Sequence, residues 1–312
     1  MNATATVALP RSKKAKENGK GKDPKPDVGR ISESLQNLQK QRVWYLKSRN
    51  MIQNRLRATV AGANGYCSGM EESERRKSFK EADQIIKDVV EGRKHCPQEE
   101  MIKLTWHGAV IPFDAKVDDM EKAMVKLAKQ LPVAKWVEQP NQKGFGLLFL
   151  AIVIGETGDL CNYENPGKVW RRMGAAPFTN GEGVTLMGAT WRGGKEGKLH
   201  KEEWEEYGYC PRRRSITYLI GEGIVKANGV GPYRTRYDDA KGNALKRKDW
   251  TTCSKCNGKG KNKTGKGSCP NCKGTGKVKM RCHLHAMLLA SKLLLKNLWL
   301  EWNDHPEYTP NW

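Results

Sequence analysis

Two short runs in this chain, CSKCNGKG at 253–260 and CPNCKGTG at 269–276, repeat the pattern C-x-x-C-x-G-x-G. Two such pairs supply four thiolates, the ligand set of a tetrahedral Zn²⁺. The glycines let the backbone turn tightly, so that its N–H groups can bond to sulfur and orient it. The spacing therefore predicts one structural zinc held by Cys253, Cys256, Cys269 and Cys272. Cys282, His283 and His285 lie close by and could substitute as ligands, but they are expected on the helix that follows. Cys67, Cys96, Cys161 and Cys210 are scattered along the sequence and take no role. No strand–helix–strand context points to redox chemistry, and a cytosolic setting favours metal ligation over disulfides.

The charge sits beside this chemistry. The chain has 312 residues, with 56 Lys and Arg against 34 Asp and Glu, a formal charge of +22. Residues 1–57 hold 14 basic and 4 acidic residues, and residues 246–281 hold 12 basic residues and one acid, Asp249. These two segments carry 21 of the 22 net charges, so the body is nearly neutral. Such concentration suits a polyanion, because each phosphate contact releases a condensed counterion. A solubilising tail would account for one such block, but two of this density point to nucleic acid. The loop between the knuckles, KNKTGKGS at 261–268, offers Lys261, Lys263 and Lys266 to phosphates. The knuckles also resemble those of DnaJ-type chaperones, which carry four such repeats; the resemblance allows a peptide-binding role, which the charge does not require.

Two further places could grip phosphate. The turn Gln142–Gly146 opens the apolar run LLFLAIVIGETGD, the form of a helix-hairpin-helix. Lys143, Gly144 and Gly146 would there leave backbone N–H groups open to a phosphate oxygen. The run RRRSITYLIGEGIVKA begins with Arg212, Arg213 and Arg214, whose charges oppose a helix N-terminal dipole unless an anion is near. The Gly-rich stretch 174–198 reads as an exposed loop.

The elements that position these groups read as helices. Residues 1–30 have no hydrophobic period and are expected to form a disordered basic arm. Over 31–100 the pattern is a coiled-coil-like helical hairpin. Its first helix spans 32–60 with Ser32 as N-cap, and its stripe runs through Ile31, Leu35, Leu38, Arg42, Tyr45, Arg49, Ile52 and Leu56. Its second helix spans about 71–91. Residues 101–113 read as a short strand or a loop, and a helix capped by Asp114 follows to Leu131, so 101–128 form a connector and helix. The run 283–302 is a strongly apolar helix expected to close the core. The fold class is mostly α. It comprises the long hairpin and a helix-hairpin-helix-containing domain over 129–312, interrupted by the zinc-knuckle insertion at 250–281. Mean hydropathy is −0.74. The sequence contains no apolar run long enough for a membrane span or signal peptide, so a cytoplasmic, nucleoid-associated protein is expected.

Residues 129–302 resemble the C-terminal domain of DEDD-type insertion-sequence transposases, the IS-one-ten/IS-one-sixteen group. The resemblance rests on KGFG followed by LLFLAIVIGETGDLCNY, on NPGKVWRRMGAAP, and on the arginine-rich helix, PYRTRY and the C-terminal helix in that order. The upstream QKQRVWYLKSRNMIQNRLRA is similar to the coiled coil linking the family's two halves. The resemblance implies a DNA partner, a structured guide RNA and homo-oligomers. It also implies a RuvC-like half that binds Mg²⁺ and a nucleophilic serine. No acidic strand pattern precedes the coiled coil, so either a separate RuvC-like chain supplies that half or cleavage has been lost. The run Pro177–Gly181 has no serine, and its Thr179 offers a hydroxyl that could attack a phosphodiester.

Three readings follow. The first is a nucleic-acid-binding, transposase-like protein that grips DNA (or RNA) and lacks its catalytic half. The second is a competent transposase working through Thr179 or through a serine elsewhere in the chain. The third is a zinc-knuckle structural or chaperone-like protein. Charge favours the first two, and the missing acidic half favours the first.

Overall fold

The computed structural model describes residues 27–179, 185–186, 209–247 apart from 228 and 230, 252–276 apart from 254, 263, 264, 266, 271 and 273, and 279–303. It is mostly helical. Helix α1 (Val28–Ala63) starts where the Asp27 side chain accepts from the Arg30 N–H at 3.0 Å. The helix thus begins four residues before the expected cap at Ser32, which is buried within it. Asp is as good a cap as Ser, and a carboxylate also complements the helix dipole. At ~1.5 Å per residue, 36 residues span about 54 Å.

Helix α2 (Glu72–Val90) turns back along only the C-terminal part of α1. Leu56, Val60, Ala82, Ile86 and Val89 make a small core there, joined by Ile102 of α3 (Glu99–Thr105). The rest of the α1 stripe faces α4 (Ile111–Ala128) instead. Its two polar positions are explained by ion pairs across that interface, Arg42–Glu121 and Arg49–Asp114, each at 2.6 Å. The expected hairpin of 31–100 is therefore real at its tip, while α4 is the main partner of the long helix.

Residues 101–113 are helical, not a strand or loop. Between α3 and α4, Trp106–Val110 widen into a π turn, with the Ile111 N–H donating to the Trp106 carbonyl. The reason is Pro112, whose ring cannot fit against the carbonyl of a regular preceding turn. Widening that turn lets one helical path continue through the proline. Asp114 consequently lies in the first turn of α4 rather than at its cap.

The larger core forms around α6 (Leu147–Thr157), which is apolar on every side because α1, α4 and later helices enclose it. A short α5 (Ala134–Val137) precedes it. Helix α7 (Pro166–Arg172) starts where the Asn165 side chain accepts from the Lys168 N–H at 3.2 Å. Phe178–Thr179 (β1) and Thr185–Leu186 (β2) pair antiparallel. Then come α8 (Pro211–Lys226), α9 (Pro232–Lys246) and α10 (Lys279–Asn303). Leu294, Leu295, Leu298 and Trp299 of α10 are buried, so the C-terminal helix closes the core. Trp170 and Trp299 donate to the carbonyls of Lys292 and Tyr163 at 2.9 and 3.0 Å, tying α7 and the turn before it to α10. Among the described residues no helix is long and apolar enough to cross a membrane.

Candidate metal centre

The cysteine segment connects α9 to α10, which pack against each other. Its flanks meet through Tyr237, whose hydroxyl lies 2.7 Å from His283 Nδ1. The four expected ligands, Cys253, Cys256, Cys269 and Cys272, are all buried, and their Sγ atoms lie within 4.8 Å of one another. Cys253 and Cys269 are 3.8 Å apart at sulfur, and Cys256 and Cys272 are 3.6 Å apart. Four sulfurs bound at ~2.3 Å around one tetrahedral ion stand about 3.8 Å from each other. A disulfide would need ~2.05 Å. The cluster is thus dimensioned for a single metal ion.

The surrounding backbone repeats with a two-fold pattern. The Gly260 N–H donates to Cys256 Sγ and the Gly276 N–H to Cys272 Sγ, both at 3.3 Å. Each knuckle also clasps the other: the Cys253 N–H donates to the Gly276 carbonyl at 2.7 Å, and the Cys269 N–H to the Gly260 carbonyl at 2.8 Å. These crossed bonds need two glycines in the left-handed region, Gly260 (φ 71°) and Gly276 (φ 69°). A Cβ on Gly276 would collide with the Gly258 carbonyl, and one on Gly260 with the Gly274 carbonyl. Amide donors aimed at sulfur stabilise thiolates and fix their direction. Without a cation, burial pushes the Cys256 thiol up to about 11, the neighbouring thiols adding to the effect and the Gly260 amide opposing it. A bound metal ion replaces those protons.

Apart from the cysteines, no buried side chains form a core in this segment among the described residues. The metal ion would therefore do the work of a hydrophobic core here. Cys282, His283 and His285 lie on α10 and outside the cluster, as expected. Between the knuckles the chain forms a small hairpin with Lys261 bridged to Ser268, and Lys261 is exposed. Lys263 and Lys266 lie outside the described residues.

No protein-family model, curated protein or solved structure matches this chain.

The other expected contacts fall in different places. Arg212 and Arg213 both turn to Oε2 of Glu156, at 2.8 and 3.2 Å. Glu156 is buried on α6, and its Oε1 accepts from Gln39 of α1 at 2.7 Å. Arg214 donates to the Gly174 carbonyl at 2.6 Å and lies over the Tyr218 ring. The anion that relieves these three arginines at the start of α8 is thus in part internal. Arg213 is largely enclosed, while the Arg212 side chain keeps 37 % of its exposure. Sequence reasoning passed over Glu156, although a carboxylate inside LLFLAIVIGE is itself a signal: a buried acid needs cationic partners.

The turn before α6 divides its roles. Gly144 (φ 91°) lies where a Cβ would run into the Gly223 carbonyl of α8. Its missing side chain serves helix packing instead of leaving room for a ligand. Gly146 caps α6 with open space around it, and Lys143 is exposed. Thr179 lies on β1 opposite Thr185, and the remainder of the expected loop at 174–198 lies mostly outside the described residues.

Proposed function

We propose that this protein binds nucleic acid through a zinc-pinned basic finger. The observation that carries the reading is the clasped set of four buried cysteines within a segment of twelve basic residues and one acid. Zinc suits four thiolates in tetrahedral array better than a hard, oxygen-seeking cation. Once the metal fixes both knuckles, the bridge between Lys261 and Ser268 has a fixed base, and exposed Lys261 is held on it. Fixed cations lose less conformational freedom on meeting phosphates than cations on an unfolded loop.

DNA is the expected polymer, with a structured RNA as the alternative that shares its chemistry. In the transposase-like reading, the helix-hairpin-helix before α6 adds Lys143 and the backbone at Gly146 to the grip, and Arg212 adds its exposed face. That reading has its support in the ordered motifs of residues 129–302. It makes the chain the gripping part of a recombination machine, acting as a homo-oligomer with a RuvC-like partner chain that carries Mg²⁺.

The test is a titration of duplex DNA at several salt concentrations, with zinc-loaded and chelator-treated protein. Loaded protein should bind more tightly and lose affinity more steeply with salt. Equal affinity and equal slopes refute the finger's role. Incubation with supercoiled plasmid and Mg²⁺ separates binding from cleavage: covalent protein–DNA adducts, lost in Thr179→Ala, would establish a competent enzyme.

A further inference from the structure

A groove at the tip of the α1–α2 hairpin has no part in the finger or the α6–α8 contacts. Its volume is about 600 Å³, in the range of ligand clefts. Arg57, Arg75, Arg76 and Lys80 line it, against a single carboxylate, Asp83. Asp83 is already paired with Arg57 at 2.5 Å. Arg76 is paired with Glu72, one turn earlier on α2. Arg75 and Lys80 have no ion-pair partner among the described residues, and both are exposed. Positions 75, 76, 79, 80 and 83 share one face of α2 by helical spacing.

The groove also contains aromatic surface. Tyr66, in the turn after α1, and Phe79 pack with ring centroids 4.9 Å apart and planes at 55°. Both rings are half-buried against the tip core. Aromatic surface beside unneutralised cations is the composition that takes up unpaired bases and their phosphates. A duplex hides its base faces in the stack and would gain only the charge contacts.

We propose that this groove is a second nucleic-acid site, specific for a single strand, with Arg75 and Lys80 on phosphates and Tyr66 offering a face to a base. The proposal rests on the nucleic-acid reading above and adds a place and a substrate form. The groove lies on a different core from the finger, so its contribution is separable.

Fluorescence anisotropy with a labelled oligothymidine of about 12 nucleotides, and with a duplex of equal length, tests it. The proteins are the full chain, R75E/K80E, Tyr66→Leu, and the finger variant K261A/K263A/K266A, each checked by circular dichroism. R75E/K80E should bind the single strand at least ten-fold more weakly, with the salt slope shallower by about 1.4. Tyr66→Leu should weaken it roughly five-fold or more, leaving duplex affinity within two-fold. Oligothymidine binding that both groove variants retain within two-fold overturns the proposal, as does equal competition by polyglutamate. Duplex binding without single-strand binding overturns the groove alone. Binding to neither polymer overturns the proposed function as well.

Discussion

Replacing Gly276 with alanine probes the metal centre most directly. Two effects add at this position. The left-handed backbone (φ 69°) costs an alanine ~1–2 kcal/mol. The new Cβ also strikes the Gly258 carbonyl, and forcing atoms into an occupied space costs about 1–3 kcal/mol. The residue that must shift donates to Cys272 Sγ and accepts from Cys253, so strain passes straight to two ligands. Together these effects amount to roughly 2–5 kcal/mol, or about 30- to 4,000-fold in metal affinity where binding and folding are one event. Gly265 is the control. Its φ is similar, 72°, but a Cβ there meets nothing within 4 Å, so Gly265→Ala should cost only the backbone part. Zinc affinity of both variants is read by competition with a chromophoric chelator, and Co²⁺ absorption reports whether four sulfurs still surround the ion. Equal affinities for the two variants would refute the argument that crossed glycine contacts hold the cluster together.

Other outcomes follow from the same structure. Glu156→Ala leaves Arg212, Arg213 and Gln39 facing an empty acceptor position; it should lower stability by about 3–5 kcal/mol in urea unfolding, and a loss under 1 kcal/mol would show that the cluster is not a buried anchor. Metal removal should leave helical circular dichroism nearly unchanged, because the two helical cores contain none of the four cysteines; collapse of the helical signal would contradict separate cores. His283 and His285 are both held below the ordinary histidine range, first by burial and then by cations, Lys241 for His283 and Arg247, Arg236 and Lys292 for His285. A depressed folded value means that the unfolded chain takes up the proton first. Stability should therefore be full above about pH 6.5 and fall as pH drops through that value. Melting temperatures should show a shallower acid limb in His283→Gln, and an unchanged limb would remove His283 from the account.

The clustering of the four cysteines was evident from the residues alone, because C-x-x-C-x-G-x-G encodes its geometry within eight residues. The turn that aims each sulfur is made by neighbours in the chain. The helices at 72–90 and 279–303 were evident for a similar reason, since apolar spacing and terminating glycines or prolines act locally. Residues 101–113 were not, because a π turn that accommodates Pro112 has no short-range period to reveal it.

Only the tertiary structure decided what the cations do. Arg212 and Arg213 look alike in sequence to arginines waiting for phosphate, yet their acceptor is a carboxylate 56 and 57 residues away on another helix. Gly144 looks like a ligand cradle, yet the carbonyl that fills its space belongs to α8. Arg42 and Arg49 interrupt an apolar stripe for no local reason and find Glu121 and Asp114 across the α1–α4 interface. A charge or a gap is written into the sequence as a demand; which group meets it depends on which surfaces packing brings within about 3 Å.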